Sequence, residues 1–449
     1  MNSLIKPARR LPIALLPIGL LSLSLVSSLG STANAATFTR VLQTGQAVPG
    51  NNQPVSEIRS IAIDNQKSIV AIVSTPTVTF PGTISGGGGS QTFQGFYLFN
   101  SALVPTLVDT AESFTSSSNS QSAHFITASL NAGTTVVLRS FRSQSRISID
   151  FGRTEVKVGP PGALQVFLTA NRLGQPTLIA TNTLALTNGA AFLLGEPMPQ
   201  TTASPQKGLL KTNAPGNLTE AIAVTDPIFG SEPFAPRDSG QIVRSSGNNL
   251  LLVTQNASHY RVFKKSGTAA TQQIYNGTTS TFDASSSCGA AISGNNIVLC
   301  AKEVKPTPTG TNPYSLRVKF GNAAPQTIPL SNTIPIEQPS IAGRTVIFKA
   351  VTPTQDKLYV STNAKAPVQI LATGDALDGK IVSKLNLSEQ GQAIVRTTSI
   401  PMANLMVRKP DLSEQPDLNE QNQAVASATT IVFLATFTDG SVGLYRGTL

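Results

Sequence analysis

The chain has 449 residues, only 12% of them charged, and a net charge of +10 at pH 7. Such sparse positive charge lacks the dense Lys/Arg footprint of a nucleic-acid-binding protein, which excludes nucleic acid as the expected partner. The 30 prolines and 35 glycines interrupt the chain too often for long helices. Together with many hydroxyl, amide and β-branched residues, they predict an all-β fold.

The first 35 residues show the three parts of a secretory signal: a basic start, an apolar stretch over 11–29, and the small-residue site Ala33-Asn34-Ala35. We predict a signal peptide over residues 1–35, cleaved after Ala35. An uncleaved membrane anchor is the alternative, but prolines and a glycine interrupt the apolar stretch. The pair Arg9-Arg10 leaves twin-arginine export open as a second route. The mature protein is then expected to be secreted or periplasmic, with no membrane span after signal removal.

A repeating unit follows the signal segment. Each unit has a strand of small and apolar residues, a β-branched run suited to burial on both faces, a strand that often holds an aromatic residue, and an amphipathic strand before a turn. The amphipathic strands are marked by Leu42, Leu107, Leu178, Ile222, Ile274, Ile328 and Leu371, with a degenerate copy near Val407. One β-branched run lies in each interval: 69–73, 136–138, 191–194, 250–253, 297–299, 346–348, 393–395 and 431–434. Eight units of about 52 residues predict a β-propeller of eight blades, with seven as the alternative if 390–430 forms one irregular blade.

The two ends of the chain carry complementary parts of one unit. Residues 430–449 supply an apolar strand, a turn and a second strand, and residues 38–50 supply the strand and turn that should follow; together they match 345–379. We therefore predict a single propeller domain over 36–449, closed by pairing of Phe38–Gln43 with Gly443–Thr448, which removes two exposed sheet edges. A tandem array of β-sandwiches is the alternative architecture.

The only cysteines, Cys288 and Cys300, flank the turn Ser293-Gly294-Asn295-Asn296. Two strands joined by this turn would bring the cysteines side by side, and an exported location permits oxidation. A disulfide is predicted. Two free buried thiols are the alternative.

The turns and strands of the outer units resemble those of a group of secreted bacterial repeat proteins that have no established chemistry. The motifs that carry the resemblance are Thr44–Gly50 and Thr373–Gly379 as a T-G-x-x-x-P-G-like turn, Asp64–Val73 as a strand pair, and Gly443-Leu444-Tyr445 as a G-x-Y strand. Units between 184 and 330 have lost most of this signature. The resemblance implies a propeller-like repeat fold and carries over no catalytic residue.

No pattern indicates a metal or cofactor site. The two histidines, His124 and His259, are far apart in sequence, and no ligand pair has a spacing that fixes a site. Asp375 and Asp378 could together hold calcium, but their loop lacks alternating acidic ligands, so we expect Asp375 to bond its own backbone instead. The glycine run 86–89 does not open a helix and is not a phosphate-binding loop.

Catalysis has little support in the sequence. There is no G-x-S-x-G elbow, and two histidines leave few routes to a Ser/His/Asp triad. Carboxylates from separate blades could still meet near the axis. The candidates are Asp109, Glu112, Asp226, Glu232, Asp238 and Glu337. The sequence does not choose among them, so no catalytic residue is assigned.

One basic cluster is a candidate for binding polyanions. It comprises Arg139, Arg142 and Arg146, followed by Arg153 and Lys157. On a strand Arg142 and Arg146 would share a face, which suits sulfate, phosphate or carboxylate groups. The alternative, which we favour, is an edge strand guarded by charge against aggregation.

These observations predict a secreted, monomeric β-propeller that acts as a non-catalytic binding or structural module of the cell envelope or extracellular space. Its expected partner is a polysaccharide or protein of that compartment. The alternative is an extracellular carbohydrate-active hydrolase or lyase that uses carboxylates near the propeller axis. A chain without tryptophan has fewer flat aromatic platforms for sugars, although six tyrosines remain.

Overall fold

The computed structural model describes most of the chain between residues 36 and 449. The described ranges are 36–50, 53–80, 89–116, 119–145, 151–171, 177–178, 185–187, 190–196, 208–222, 242–255, 259–278, 282–283, 288–303, 314–330, 335–352, 354–389, 391–398 and 427–449. Every regular element in these ranges is a β-strand.

The strands form seven antiparallel blades arranged as a ring. Blade 1 contains β2 (Glu57–Ile63), β3 (Ile69–Ser74), β4 (Val78–Phe80), β5 (Gly89–Phe99) and β6 (Pro105–Ser116), and it follows β1 (Thr37–Gln43). Blade 2 contains β7 (Asn119–Asn131), β8 (Thr134–Ser145), β9 (Phe151–Gly159) and β10 (Gln165–Asn171). Blade 3 contains β11 (Thr177–Leu178), β12 (Ala185–Thr187), β13 (Ala190–Glu196), β14 (Gly208–Ala214) and β15 (Asn217–Ile222). Blade 4 contains β16 (Ile242–Ser246), β17 (Asn249–Gln255), β18 (His259–Ser266) and β19 (Gln272–Thr278). Blade 5 contains β20 (Phe282–Asp283), β21 (Gly289–Ser293), β22 (Asn296–Glu303), β23 (Tyr314–Lys319) and β24 (Gln326–Thr327). Blade 6 contains β25 (Ile336–Ala342), β26 (Thr345–Val351), β27 (Asp356–Thr362) and β28 (Val368–Ala372). Blade 7 contains β29 (Ala376–Leu377), β30 (Lys380–Asn386), β31 (Ile394–Thr398), β32 (Ser427–Phe437) and β33 (Val442–Thr448).

The core lies between neighbouring blades and is built mainly from the second strand of each blade. All six residues of β3 are buried, and β26 is buried over its first six. A strand covered on both faces needs apolar side chains at successive positions instead of every second one. The predicted β-branched runs therefore identify the second strands, with one exception.

The expected count of eight blades is wrong, and the alternative count of seven is right. The run 393–395 is expected as a second strand, but Ile394 and Val395 belong to β31, part of the innermost strand of blade 7, whose second strand is β32. Both strands are apolar because both are buried. Val407, near which a degenerate amphipathic strand is expected, lies outside the described residues. Leu178 is expected on the outermost strand of blade 2, but that strand is β10, and Leu178 lies on β11, which pairs with β13 of blade 3.

The predicted closure of the ring is confirmed. Strand β1 pairs antiparallel with β33, with Phe38 opposite Gly447 and Gln43 opposite Gly443. The ring of Phe38 packs edge-on against Phe433 with 5.3 Å between centroids. Blade 7 thus takes its outermost strand from the first described residues of the chain.

The predicted disulfide is also confirmed. Cys288 and Cys300 are bonded, with 5.2 Å between their Cα atoms, and Cys300 is fully buried. The bond ties the start of β21 to β22 in blade 5. The alternative of free thiols is excluded.

Candidate functional site at the axis of the ring

The seven innermost strands converge on the axis, and one face of the ring closes over them with short turns. On this face, which we call the tight-turn face, two-residue turns join the first and second strands of blades 2, 4, 5 and 6. Each of these turns contains a glycine with φ between 56° and 78°, a region that a β-carbon disfavours. The turns bring polar residues at the ends of the inner strands close to the axis.

A segment of blade 7 crosses this axis. It covers residues 387–393, apart from residue 390, which is not among the described residues, and we call it the axial plug. Blade 6 holds its two ends, because Leu387 N donates to Gln338 Oε1 (2.7 Å) and Ala393 N donates to Ser340 Oγ (3.2 Å). The plug interrupts the innermost strand of blade 7, since β30 and β31 both pair with β32 on either side of it.

Gln392 fastens the plug to blades 1 and 2. Its carbonyl accepts from Ile63 N of blade 1 at 2.9 Å. Its side-chain Oε1 accepts from Ser129 Oγ (2.9 Å) and from Leu130 N (3.4 Å), and its Nε2 donates to Leu130 O (2.8 Å). One glutamine therefore satisfies backbone and side-chain groups that would otherwise be buried without partners.

The opposite side of the plug touches blades 4 and 5. A β-carbon on Gly391, whose φ is 70°, would lie 2.9 Å from Ala291 Cβ and 3.0 Å from Ala290 O, so only glycine fits here. Arg244 of blade 4 donates from Nη2 to the carbonyl of Glu389 and from Nη1 to Val243 O. Arg244 is 7% exposed, and burial lowers its guanidinium pKa to about 10, partly offset by the charge of Glu389.

The inner strand of blade 3 is joined to its neighbours by side chains. Asn131 Nδ2 donates to Leu186 O (2.9 Å) and to Gly247 O (3.1 Å), and Ser245 Oγ donates to Leu186 O (2.7 Å). The space left among these groups and the plug is a cavity of about 40 Å³. That volume holds a few waters and no sugar ring.

The three candidate carboxylates that the structure describes do not gather at the axis. Asp109 and Glu112 lie on β6, the outermost strand of blade 1, where Asp109 forms an ion pair with Lys157 at 2.7 Å. Glu337 lies on the innermost strand of blade 6 and pairs with Lys349 at 2.7 Å. Asp226, Glu232 and Asp238 lie outside the described residues.

The candidate metal ligands have other partners or stand apart. Asp375 Oδ2 accepts from Ala372 N at 2.7 Å, which is the local turn predicted for it, while Asp378 pairs with Arg40 at 2.7 Å. His124 is exposed on β7, where partial burial and the charge of Arg59 lower its pKa. His259 lies on β18 with only its backbone described. Within the described ranges, no three His, Cys, Asp or Glu side chains are grouped as metal ligands.

The polyanion candidates are only partly described. Arg139 lies on β8 opposite Phe125 and is half-buried, with its Nε buried and without a hydrogen-bond partner among the described residues. Arg142 lies three positions further on β8, opposite Ser122, and β8 pairs with both β7 and β9, so the expected edge strand is wrong. Arg146 lies outside the described residues, so binding at this cluster stays a prediction.

The axial plug was not predicted from the sequence. The sequence feature that could have indicated it is an insertion. Residues 385–395 in blade 7 correspond to residues 336–342 in blade 6, because Leu385 and Ile336 lie opposite equivalent alanines on β32 and β26. A polar stretch of this kind is otherwise typical of a surface loop.

Comparison with known proteins gives similarity of structure alone. No family model and no curated protein matches the chain. A prolyl endopeptidase structure shows 10% identity over 91% of this chain and 50% of its own, with a TM-score of 0.41, so the chain spans half its length. The β-propeller domain of the Trilobed protease from Pyrococcus furiosus shows 8% identity over 71% of this chain and 99% of its own (TM-score 0.36). The Aleuria aurantia lectin shows 9% identity over 70% of this chain and 96% of its own (TM-score 0.28).

In the described part of the chain, no helix is long and apolar enough to span a membrane.

Proposed function

We propose that the protein is an exported, non-catalytic binding or structural module that acts at the cell envelope or in the extracellular space. The observation that carries this proposal is the axial plug. The plug fills the space at the ends of the inner strands, and its hydrogen bonds use the polar groups there. An active site on the axis would need that space open and those groups free. Recognition then falls to the outer surfaces of the blades.

The chemistry of the described residues supports the same conclusion. A hydrolase or lyase that acts through carboxylates needs two of them within about 5 to 10 Å across the reacting bond. Asp109 and Glu337 lie in different blades, and each is held by a lysine at 2.7 Å. A rigid ring with many loops, by contrast, suits recognition.

A binding experiment with an enzymatic readout tests the proposal. The exported protein, whose first residue is expected to be Ala36, is incubated with its own cell-envelope fraction and with exopolysaccharide from the same cells. We expect retention on one of these materials with no release of reducing ends or unsaturated sugars. Release of such products would overturn the non-catalytic assignment, and absence of retention on both would overturn the binding role.

A further inference from the structure

Blades 4 and 5 carry most of the net positive charge of the mature chain. Residues 242–330 contain eight basic residues and two acidic ones, a net charge of +6. Residues 36–449 contain 30 basic and 23 acidic residues, a net charge of +7. The rest of the chain is therefore close to neutral overall, and the excess of positive charge lies on this sector of the ring.

Two lysines from different blades meet on the tight-turn face of this sector. Lys264, on β18 of blade 4, donates from Nζ to Asn295 Oδ1 in the turn between β21 and β22 of blade 5. Lys319, on β23 of blade 5, stands in register with Ile297, two residues after that asparagine. Its Nζ donates to Ala323 O at 3.0 Å. The hydrogen bond to Asn295 thus places Lys264 beside Lys319 across the gap between the blades.

The gap between the two blades continues outward as a shallow crevice of about 10 Å³, so a ligand would lie across it and not enter it. Arg317 precedes Lys319 by two residues on β23, and its Nη1 donates to Tyr275 Oη at 3.2 Å. The guanidinium also lies 5.5 Å from the centre of the Tyr275 ring. Pro325 lines the same crevice. We call the surface formed by Lys264, Lys319, Arg317, Tyr275 and Pro325 the basic groove.

The two lysines have no compensating charge among the described residues. Their only described side-chain contacts are the amide and carbonyl oxygens given above. The acidic positions of these blades, Asp283 on β20 and Glu303 on β22, lie at the far end of blade 5. Glu303 is six residues from Ile297, or roughly 20 Å along the strand. Burial, together with the charge of Lys319, lowers the pKa of Lys264, which agrees with two like charges held close together.

We propose that the basic groove binds an anionic polysaccharide through its carboxylate or sulfate groups. The proposal rests on the function proposed above and names its ligand class. Two ammonium groups without acidic partners complement such charges, and exposed Pro325 beside the half-buried Tyr275 offers apolar surface for a sugar ring.

A membrane surface fits the basic groove less well than a polysaccharide. Insertion into a bilayer needs exposed apolar side chains beside the cations. The exposed large apolar residues of the described chain are Val78, Val104, Phe114, Val166, Val368 and Ile381. None of them belongs to blade 4 or blade 5.

Paired charge-removal variants test the proposal. Lys264→Gln with Lys319→Gln removes the two facing charges, and Lys365→Gln with Lys384→Gln removes two exposed charges from blades 6 and 7 as a matched control. Binding to immobilised polygalacturonate at low salt is measured, with neutral dextran as a blank. The groove variant should bind about fivefold more weakly, because each exposed charge contributes modestly. The control variant should bind polygalacturonate like the wild type. Added salt should weaken the binding of the wild type and of the control variant.

Thermal unfolding of the groove variant should stay close to that of the wild type, because glutamine can still donate hydrogen bonds and removal of two like charges relieves their repulsion. Equal weakening in both variants would overturn the proposal by showing an effect of net charge alone. Lysine-dependent binding to phosphatidylglycerol vesicles without binding to polygalacturonate would overturn it in favour of a membrane.

The two proposals fail separately. If the groove variant is retained on the cell envelope as strongly as the wild type, the proposal for the groove is wrong and the proposal of a binding module stands. Lysine-dependent binding to polygalacturonate without any envelope or exopolysaccharide retention would overturn the binding module as proposed and leave the groove.

Discussion

Two buried tyrosines pack their aromatic rings against glycines, which have no side chain to obstruct them. Tyr97 in blade 1 and Tyr445 in blade 7 each fold back over the glycine two positions earlier. A β-carbon on Gly95 would lie 2.3 Å from Tyr97 Cε2, and one on Gly443 would lie 2.5 Å from Tyr445 Cε2. Burial raises the pKa of both tyrosines to about 12, so their hydroxyls remain donors at any physiological pH. Tyr97 uses its proton to bond Pro49 O at 2.8 Å.

Gly443→Ala is expected to destabilise the protein by about 1 to 3 kcal/mol, since the added methyl group must displace a packed aromatic ring. Urea unfolding measures the loss. The control is the same substitution in a Tyr445→Leu background, where the ring is absent and the added cost should fall to a few tenths of a kcal/mol. A cost that is the same in both backgrounds would show that the glycine is needed for another reason.

At the scale of elements, the same connection occurs on both sides of blade 7. Gly45 N donates to Val55 O and Gly374 N donates to Val382 O, both at 2.8 Å. In each connection a side-chain oxygen, from Gln46 or Asp375, accepts a backbone N–H three residues earlier. Two sequences that share only a T-G start, an alanine and a final glycine therefore form the same turn, because the backbone conformation and a single acceptor define it.

The axial plug gives a prediction with an internal control. Gly391 and Gly440 both have a positive φ, of 70° and 80°, but a β-carbon on Gly440 would meet nothing within 4 Å. Gly440→Ala should therefore show only the backbone cost of about 1 kcal/mol. Gly391→Ala should cost at least about 1 kcal/mol more, because the methyl group collides with blade 5. Chemical denaturation of both variants makes the comparison, and equal losses would contradict close packing of the plug at the axis.

The sequence predicted features that depend on neighbours along the chain. The second strands β3, β17, β22 and β26 were predicted from their apolar runs, and the disulfide from a short turn between two cysteines. The axial plug and the basic groove depend on stacking of blades. Gln392 bonds Ser129 across the ring, and Lys264 and Lys319 meet only because blades 4 and 5 are adjacent. No local pattern records such contacts, and the blade count failed for the same reason, since burial makes the inner and second strands of blade 7 look alike.

At the scale of the whole molecule, stability depends on the closing strand. Strand β1 covers the edge of β33, and without it that edge would present unpaired N–H and C=O groups to solvent. A β-carbon on Gly447 would lie 2.8 Å from the Phe38 ring, which shows how closely the two strands pack.

Deletion of residues 37–43 should lower the melting temperature and produce oligomers, because an uncovered edge pairs with other chains. Size-exclusion chromatography and thermal unfolding measure both effects. Phe38→Ala is the milder companion variant, expected to lose about 2 kcal/mol while remaining monomeric, since Phe38 is only partly buried and the strand pairing is kept. A truncated chain that stays monomeric with an unchanged melting temperature would show that the seven blades hold together without closure.

The pairing of Phe38 with Gly447 also orders events in time. Strand β1 is synthesised before the blades and β33 after them, so β1 has no partner until β33 is complete, and the blades between them form before the ring can close. Closure of the ring is therefore expected as the last step of folding, after the blades between the two strands have formed.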